Sequence, residues 1–386
     1  MRDVLVIGAG PAGLSSGYYL QKAGIDFEIV DRADHIGSTW ANLYPSLKLN
    51  TASVVSHMPD QRMPLRYPLL PSGQQYYTHL TDWACRHPLP VRLSVQVSRV
   101  APSASGWHIE TSAGDDDYRA VVIATGRFGN PYIPPIPGLN SFTGTLLHTH
   151  DFRDPAAFAG KRVLIVGNGP SGADAAVALA AHSPGNILLA IRSDMVIARR
   201  NPYGINETLW KILIHGLPQR WQKPLSNRLL FQSYPDVHTY GLPLAPNRDD
   251  RKGTSVPIRG PEFLRELRAG RIHAVRGLEA LQERCAVLQD GSAHEVDVVI
   301  LATGYRPVLD YLDMDFATDE QGWPLRATEA DADNTQLRGY PGLYLVGRYY
   351  RGLGAFYNIR QEARHMTREI SAYLALQSHR RIPAAT

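Results

Sequence analysis

Cysteine is almost missing from this chain. Its 386 residues hold two, Cys85 and Cys285, and neither has a second cysteine nearby. That excludes a disulfide framework and leaves no C-x-x-C pair for a dithiol redox centre of the usual kind. Both thiols are expected to be buried small hydrophobes. Also missing is an apolar run near the ~18 residues a membrane-crossing helix needs, so no membrane segment is expected. An excess of one charge is lacking too: 40 Lys and Arg face 36 Asp and Glu, for a net +4. No Lys/Arg block carries interleaved aromatics, so no nucleic-acid partner is expected. No metal site is read from the residues. The first strand-like run starts at residue 3 or 4 and HRRIPAAT at the other end carries no lipidation motif, so a cytoplasmic location is expected. A chain that is 44% hydrophobic and 20% charged suits a soluble globular enzyme of two or three domains.

Glycine, by contrast, is placed with purpose. VLVIGAGPAG holds Gly8, Gly10, Pro11, Ala12 and Gly13 behind the apolar run from Val4 to Ile7. VLIVGNGPSG repeats the pattern, with Gly167, Gly169, Ser171 and Gly172 behind Val163 to Val166. Each copy sits between a strand-like and a helix-like stretch, the context a dinucleotide fingerprint requires. The glycines permit a tight turn, close approach to a pyrophosphate and close helix–strand packing, while the helix start offers free N–H groups and a positive dipole end. A second apolar run follows each copy, FEIV and NILLAI. It closes on Asp31, with Arg32 next, in the first copy, and on Arg192, with Ser193 next, in the second. A carboxylate accepts hydrogen bonds from a ribose diol, whereas a guanidinium suits a 2′-phosphate. The two dinucleotides expected are FAD at the first loop and NADPH at the second.

The fold class expected is α/β: two Rossmann-like dinucleotide-binding domains in a glutathione-reductase-like arrangement. The FAD-binding domain is expected to be discontinuous, 1–154 and 297–386, around an NADPH-binding domain, 155–296, with a mainly helical or irregular insert at 201–259. SVQVSRV, GWHIETS and YRAVVIATG read as strands, PEFLRELRAG as a helix closed by Gly270 and RIHAV as a strand. Two strands end in the same triplet, Ala124-Thr125-Gly126 and Ala302-Thr303-Gly304, which reads as a small turn where the chain crosses between domains. A final helix over 358–374 would close the first domain and offer its N-terminus to the flavin.

Between the fingerprints stands Phe142-x-Gly144-x-x-x-His148-x-x-x-Phe152. With GSTW at 37–40, YPSLKLNTAS at 44–53, ATGRFGNPYIP at 124–134, IRS at 191–193, TYGLPLAP at 239–246 and GLYLVGRYYRGLGA at 342–355, it makes essentially the whole chain resemble the class B flavin-dependent monooxygenases. The groups it resembles are the flavin-containing monooxygenases and their plant YUCCA-type relatives. Phe152, where the Baeyer–Villiger branch carries Trp, favours the N- or S-oxygenating or YUCCA side.

The resemblance implies NADPH- and O2-dependent oxygenation of a small organic substrate through a C4a-(hydro)peroxyflavin. N- or S-oxygenation is favoured, with Baeyer–Villiger or decarboxylative chemistry open, and a homodimer is compatible with it. It implies that His148 acts as a joint between domains near NADPH, that Trp40 walls the flavin, and that Asn50 lies at the flavin as the catalytic candidate. Each could instead be an ordinary core or turn residue. Val97, Gly347, Arg348 and Gly354 complete the flavin set, although Arg348 stands where many two-dinucleotide flavoproteins place Asp. Arg259 likewise replaces the acid of a YUCCA-type Pro-x-x-Asp. Two readings compete: a two-dinucleotide flavoprotein reductase without oxygenation, and a non-catalytic FAD/NADPH-binding regulator.

Overall fold

The computed structural model describes residues 2–43, 47–192, 195–230, 234, 240, 242, 257–328, 334–348 and 352–380, with side chains to 377. The chain divides into two compact units, Met1–Asn130 with Tyr305–Thr386, and Pro131–Gly304.

The first unit opens with β1 (Arg2–Ile7), α1 (Pro11–Lys22) and β2 (Phe27–Val30). Val4 to Ile7 are apolar and buried on both faces, which suits a central strand with parallel neighbours. Then come α2 (Ser38–Ala41), α3 (Gly73–Arg86), β3 (Val91–Arg92), β4 (Val97–Ser103), β5 (Gly106–Thr111) and β6 (Asp116–Ile123). The sheet order is β3-β2-β1-β6-β5-β4, with β1 parallel to both β2 and β6. A capping box starts α3: Ser72 Oγ accepts from Gln75 N–H at 3.1 Å, and Gln75 Oε1 accepts from Ser72 N–H at 2.9 Å. Trp83 and Leu80 of this helix pack against Tyr18 and Leu14 of α1.

One buried polar side chain in that layer makes stability depend on pH. His79 is 1% exposed, and its Nε2 accepts from Met58 N–H at 3.3 Å. Burial, followed by the neighbouring His57, pushes the imidazole down to about 4. An unfolded imidazole titrates near ~6.5, so between these values the unfolded chain holds more protons. The stabilisation is therefore complete above pH ~6.5 and is lost as pH falls toward 4, on the order of 3 kcal/mol. Urea midpoints should drop between pH 7 and 4.5, and His79→Gln should flatten the drop; an equal drop in both proteins would clear His79 of the role.

The second unit contains β7 (Thr145–His148), β8 (Val163–Val166), α4 (Pro170–Ala180), β9 (Ile187–Ile191), β10 (Ile197–Ala198), α5 (Glu207–His215) and α6 (Gln219–Leu230). These are followed by β11 (Ile258–Arg259), α7 (Glu262–Arg268), β12 (Ile272–Arg276), β13 (Leu278–Gln282), β14 (Cys285–Leu288), β15 (Ala293–Glu295) and β16 (Val298–Leu301). Its main sheet is parallel throughout, in the order β12-β9-β8-β16-β7. The helix expected from PEFLRELRAG is α7, with Gly270 past its end at φ +66°. The described part of the 201–259 insert is mainly α5 and α6. It is tied to β11 by an ion pair between Arg259 Nη2 and buried Glu207 at 3.0 Å.

The boundaries differ from those read in the sequence. The chain crosses at 130/131 and 304/305, where 154/155 and 296/297 were expected. The reason is pairing: β16 is buried on both faces and takes β8 on one side and β7 on the other, Val298 opposite Thr145 through Leu301 opposite His148. Both therefore belong to the second unit. The cysteines differ too: Cys85 is exposed and Cys285 half-buried, and both are free thiols.

The first unit closes with β17 (Leu343–Leu345), parallel to β6, and α8 (Ala355–Arg380). The helix begins three residues before the expected Asn358. Its buried stripe of Ala363, Met366, Ile370 and Leu374 joins the core formed with α1.

Candidate dinucleotide-binding sites

The two glycine loops share one construction. Gly8 has φ +114°, and a Cβ there would lie 2.6 Å from the Ala124 carbonyl oxygen; a Cβ on Gly13 would lie 1.7 Å from the Gly8 carbonyl oxygen. In the second unit Gly167 has φ +126° and faces the Ala302 carbonyl oxygen at 2.4 Å, while Gly172 faces the Gly167 carbonyl oxygen at 2.2 Å. The outer glycines are thus required by the protein's own backbone. The middle ones are not: a Cβ on Gly10 or Gly169 would meet nothing within 4 Å. Both adopt ordinary extended backbone, φ −86° and −80°, as N-caps of α1 and α4 without a side-chain cap. The space beside them and the N–H groups of Ala12, Gly13, Ser171 and Gly172 form a cradle that fits a pyrophosphate.

The triplets after β6 and β16 do a matching job. Ala124 N–H donates to Ile7 O at 2.9 Å and Ala302 N–H to Val166 O at 2.8 Å. Each alanine carbonyl then lies directly beneath the first glycine of its loop. Gly126 and Gly304 follow at φ +74° and +85°. Thr303 Oγ1 donates to Tyr132 O, and Tyr132 N–H returns to Gly304 O at 2.9 Å. The triplets support the loops and also lie where the chain crosses between units, Gly304 at 304/305 and Gly126 just before 130/131.

Around the first loop, Asp31 Oδ2 accepts from Ala9 N–H at 2.6 Å and Oδ1 from Ala33 N–H at 2.9 Å. Two backbone donors orient the carboxylate and leave it acceptor sites for a diol. Arg32 is loosely tethered to Gly129 O at 3.4 Å. Gly347, at φ +91°, brings its turn against α1: a Cβ there would be 3.1 Å from Ala12 Cβ. Trp40 packs on Tyr76 and Phe356 with centroids 4.4 and 5.3 Å away. Asn50 is exposed at a bend held by Leu49 N–H to Pro71 O and Ser53 N–H to Leu69 O, each 2.8 Å. Its neighbour Thr51 abuts Gly354, where a Cβ would come within 2.3 Å of Thr51 Cγ2. Asn50 is thereby set beside the start of α8.

Two expected flavin contacts are otherwise engaged. Val97 is a core residue of β4, packed with Ile109 and Val100. Arg348 is 7% exposed and turns its guanidinium inward, to Asp319 Oδ2 at 2.5 Å and Pro324 O at 2.8 Å. Its side chain braces the 319–324 segment.

In the second unit Arg192 stands exposed just past β9, its Cβ against Gly277. Ser193 lies outside the described residues. Arg199 is over the Tyr234 ring at 5.4 Å, and Arg200 pairs with Glu262 at 2.7 Å.

The Phe142–Phe152 motif is built on β7. The Phe142 ring covers Gly144, where a Cβ would meet Asp297 O at 2.5 Å. Phe152 is 3% exposed and stacks on Phe158 at 6.0 Å. Burial holds His148 below the usual imidazole range. Its Nδ1 accepts from His150 N–H at 3.0 Å, which puts the proton of the neutral ring on Nε2. His148 is buried at the end of β7 opposite Leu301, the residue that leads into the turn supporting the second loop. Sequence reading missed Glu362 and Arg326, a buried ion pair behind the Gly347 turn; nothing local in the sequence marks either.

Residues 5–207 match the family model for pyridine nucleotide-disulphide oxidoreductases. The chain is 28% identical over 366 residues to the probable indole-3-pyruvate monooxygenase YUCCA8 of Arabidopsis thaliana, covering 90% of this chain and 84% of that protein. Among solved structures it is similar to a flavin-containing monooxygenase from Stenotrophomonas maltophilia, at a TM-score of 0.73 and 26% identity, covering 97% of this chain and 99% of the other. The bacillithiol disulfide reductase Bdr (YpdA) of Staphylococcus aureus shares the fold, at a TM-score of 0.69 and 16% identity over 96% and 98% of the two chains. This chain belongs to the pyridine nucleotide-disulphide oxidoreductase family and, within it, to the FAD- and NADPH-dependent flavin monooxygenases.

Proposed function

We propose that the first unit holds FAD, the second holds NADPH, and the chain uses O2 to oxygenate nitrogen or sulfur in a small organic substrate. The observation that carries the assignment is the pair of loops with an open middle glycine, one leading to Asp31 and the other to Arg192. In the balanced reaction NADPH supplies two electrons, one oxygen atom enters the substrate, and the other leaves as water. Bound FAD supplies the electron relay and the activation of dioxygen.

The residues bind and orient. The first turns of α1 and α4 take the two pyrophosphates, Asp31 the FAD ribose, and Arg192 the 2′-phosphate. Neutral His148 is a buried packing residue of β7, opposite the end of β16. Phe152 is a packing residue, so its identity marks lineage rather than touching substrate. The plant relatives are named for indole-3-pyruvate and one structural neighbour for S-allyl-L-cysteine S-oxygenation. Arg259, committed here to Glu207, argues against copying the plant substrate. The proposed setting is the cytoplasm, as a monomer or homodimer; among the described residues no helix is long and apolar enough to cross a membrane.

The test is isotopic. With 18O2, NADPH and a panel of sulfides, amines and ketones, one labelled atom should enter a sulfoxide or N-oxide. Recovery of all consumed O2 as hydrogen peroxide with every substrate class would favour a reductase that reacts with oxygen only adventitiously. Asn50 has its own expectation. With FAD held in the first unit, an amide there would offer both a hydrogen-bond donor and an acceptor beside the flavin ring. Asn50→Ala should leave flavin reduction intact and raise peroxide released per NADPH roughly two- to tenfold, the scale of one lost hydrogen bond. An unchanged coupling ratio would make Asn50 a turn residue.

A further inference from the structure

Behind the Gly347 turn lies a charge pair that the chemistry above does not use. Arg326 and Glu362 have side chains 1% and 4% exposed, with Nη2 and Oε1 2.9 Å apart. Arg326 Nη2 also donates to Leu345 O at 3.1 Å, at the end of β17. The second carboxylate oxygen, Glu362 Oε2, accepts from Gly347 N–H at 2.7 Å. One ion pair therefore grips both sides of a single turn, from β17 and from α8. That turn is the one that touches Ala12, in the first turn of α1 and inside the proposed FAD cradle.

Burying an ion pair is a poor way to stabilise a core, because apolar residues of similar volume often do as well or better. A carboxylate that also reaches a specific backbone N–H does something apolar packing cannot: it sets where that N–H, and the glycine carrying it, must lie. We propose that Glu362, held in place by Arg326, is a positioning residue for the flavin. It fixes the Gly347 turn against Ala12 and so sets the wall of the FAD cradle. The proposal rests on the reading of the Gly8–Gly13 loop as the FAD site.

The double substitution Arg326→Leu with Glu362→Leu removes both charges and leaves neither buried alone. It should fold, with an unchanged far-ultraviolet circular dichroism spectrum. FAD should leave the holoenzyme about tenfold faster on dilution, followed by flavin fluorescence, the scale of one lost charge-assisted hydrogen bond. The visible flavin spectrum should shift with it. Arg326→Leu with Glu362→Gln restores an acceptor for Gly347 N–H and should bring release back to within about threefold of the parent. It also carries the test if the double-leucine protein does not fold. Parental FAD release and an unshifted spectrum in the double-leucine protein would overturn the proposal, as would a glutamine variant that releases FAD as fast as the double-leucine one. Gly10→Val separates the two levels. If Gly10→Val keeps FAD, the site reading fails; if it loses FAD while the double-leucine protein holds it normally, only the role of Glu362 fails.

Discussion

Gly10→Val should yield a folded protein that is colourless after gel filtration, with no flavin retained. Gly10 has φ −86° and ψ −172°, a conformation any residue adopts, and a Cβ there meets no protein atom within 4 Å. Folding is therefore indifferent to the side chain, and the branched valine fills the cradle where the pyrophosphate must approach the backbone. Gly13→Ala is the contrasting control: its Cβ would lie 1.7 Å from the Gly8 carbonyl oxygen, so that variant should be lost in expression. Gly169→Val has the same open surroundings as Gly10 and should stay yellow yet resist reduction by NADPH, while dithionite still bleaches it. A yellow Gly10→Val protein with full flavin occupancy would sink the FAD assignment. Equal flavin loss in both valine variants would sink the division of labour between the units.

Arg192→Ala should raise the KM for NADPH tenfold to a hundredfold and leave that for NADH nearly unchanged. A guanidinium makes a bidentate, charge-assisted contact with a 2′-phosphate that NADH lacks, and losing it costs on the order of 1.5–3 kcal/mol. The structure sharpens the expectation, because Arg200 is already paired with Glu262 and Arg199 lies over Tyr234. The maximal rate of flavin reduction should hold, since the phosphate is remote from the hydride. Equal losses with both coenzymes would make Arg192 a fold residue. No loss with either would move phosphate recognition elsewhere.

Both expectations start from residues legible in the sequence, and the reason is local. A strand, three glycines and a helix within ten residues form one short-range unit whose geometry follows from backbone sterics. Long-range pairing left weaker traces. The run Val298–Leu301 is apolar on both faces and reads as a buried strand, but nothing in four aliphatic residues says which sheet owns it. Its pairing with β8 and β7, both far earlier in the chain, decides that. Arg348 was read from its place in a motif, whereas its direction is set by Asp319, on a segment that carries no motif. Arg326 and Glu362 are 36 positions apart and mean nothing to each other until β17 and α8 bring them together.

The contrast between outer and middle glycines also bears on how such loops decay. Gly8, Gly13, Gly167 and Gly172 are imprisoned by backbone oxygens and must persist as long as the fold does, whatever it binds. Gly10 and Gly169 answer to no neighbour in the protein. A descendant of this chain that abandoned one nucleotide would be free to change its middle glycine first and would keep the other two unaltered. Such a relic would still look like a fingerprint by its outer glycines. The middle position alone would betray that the pocket had fallen out of use.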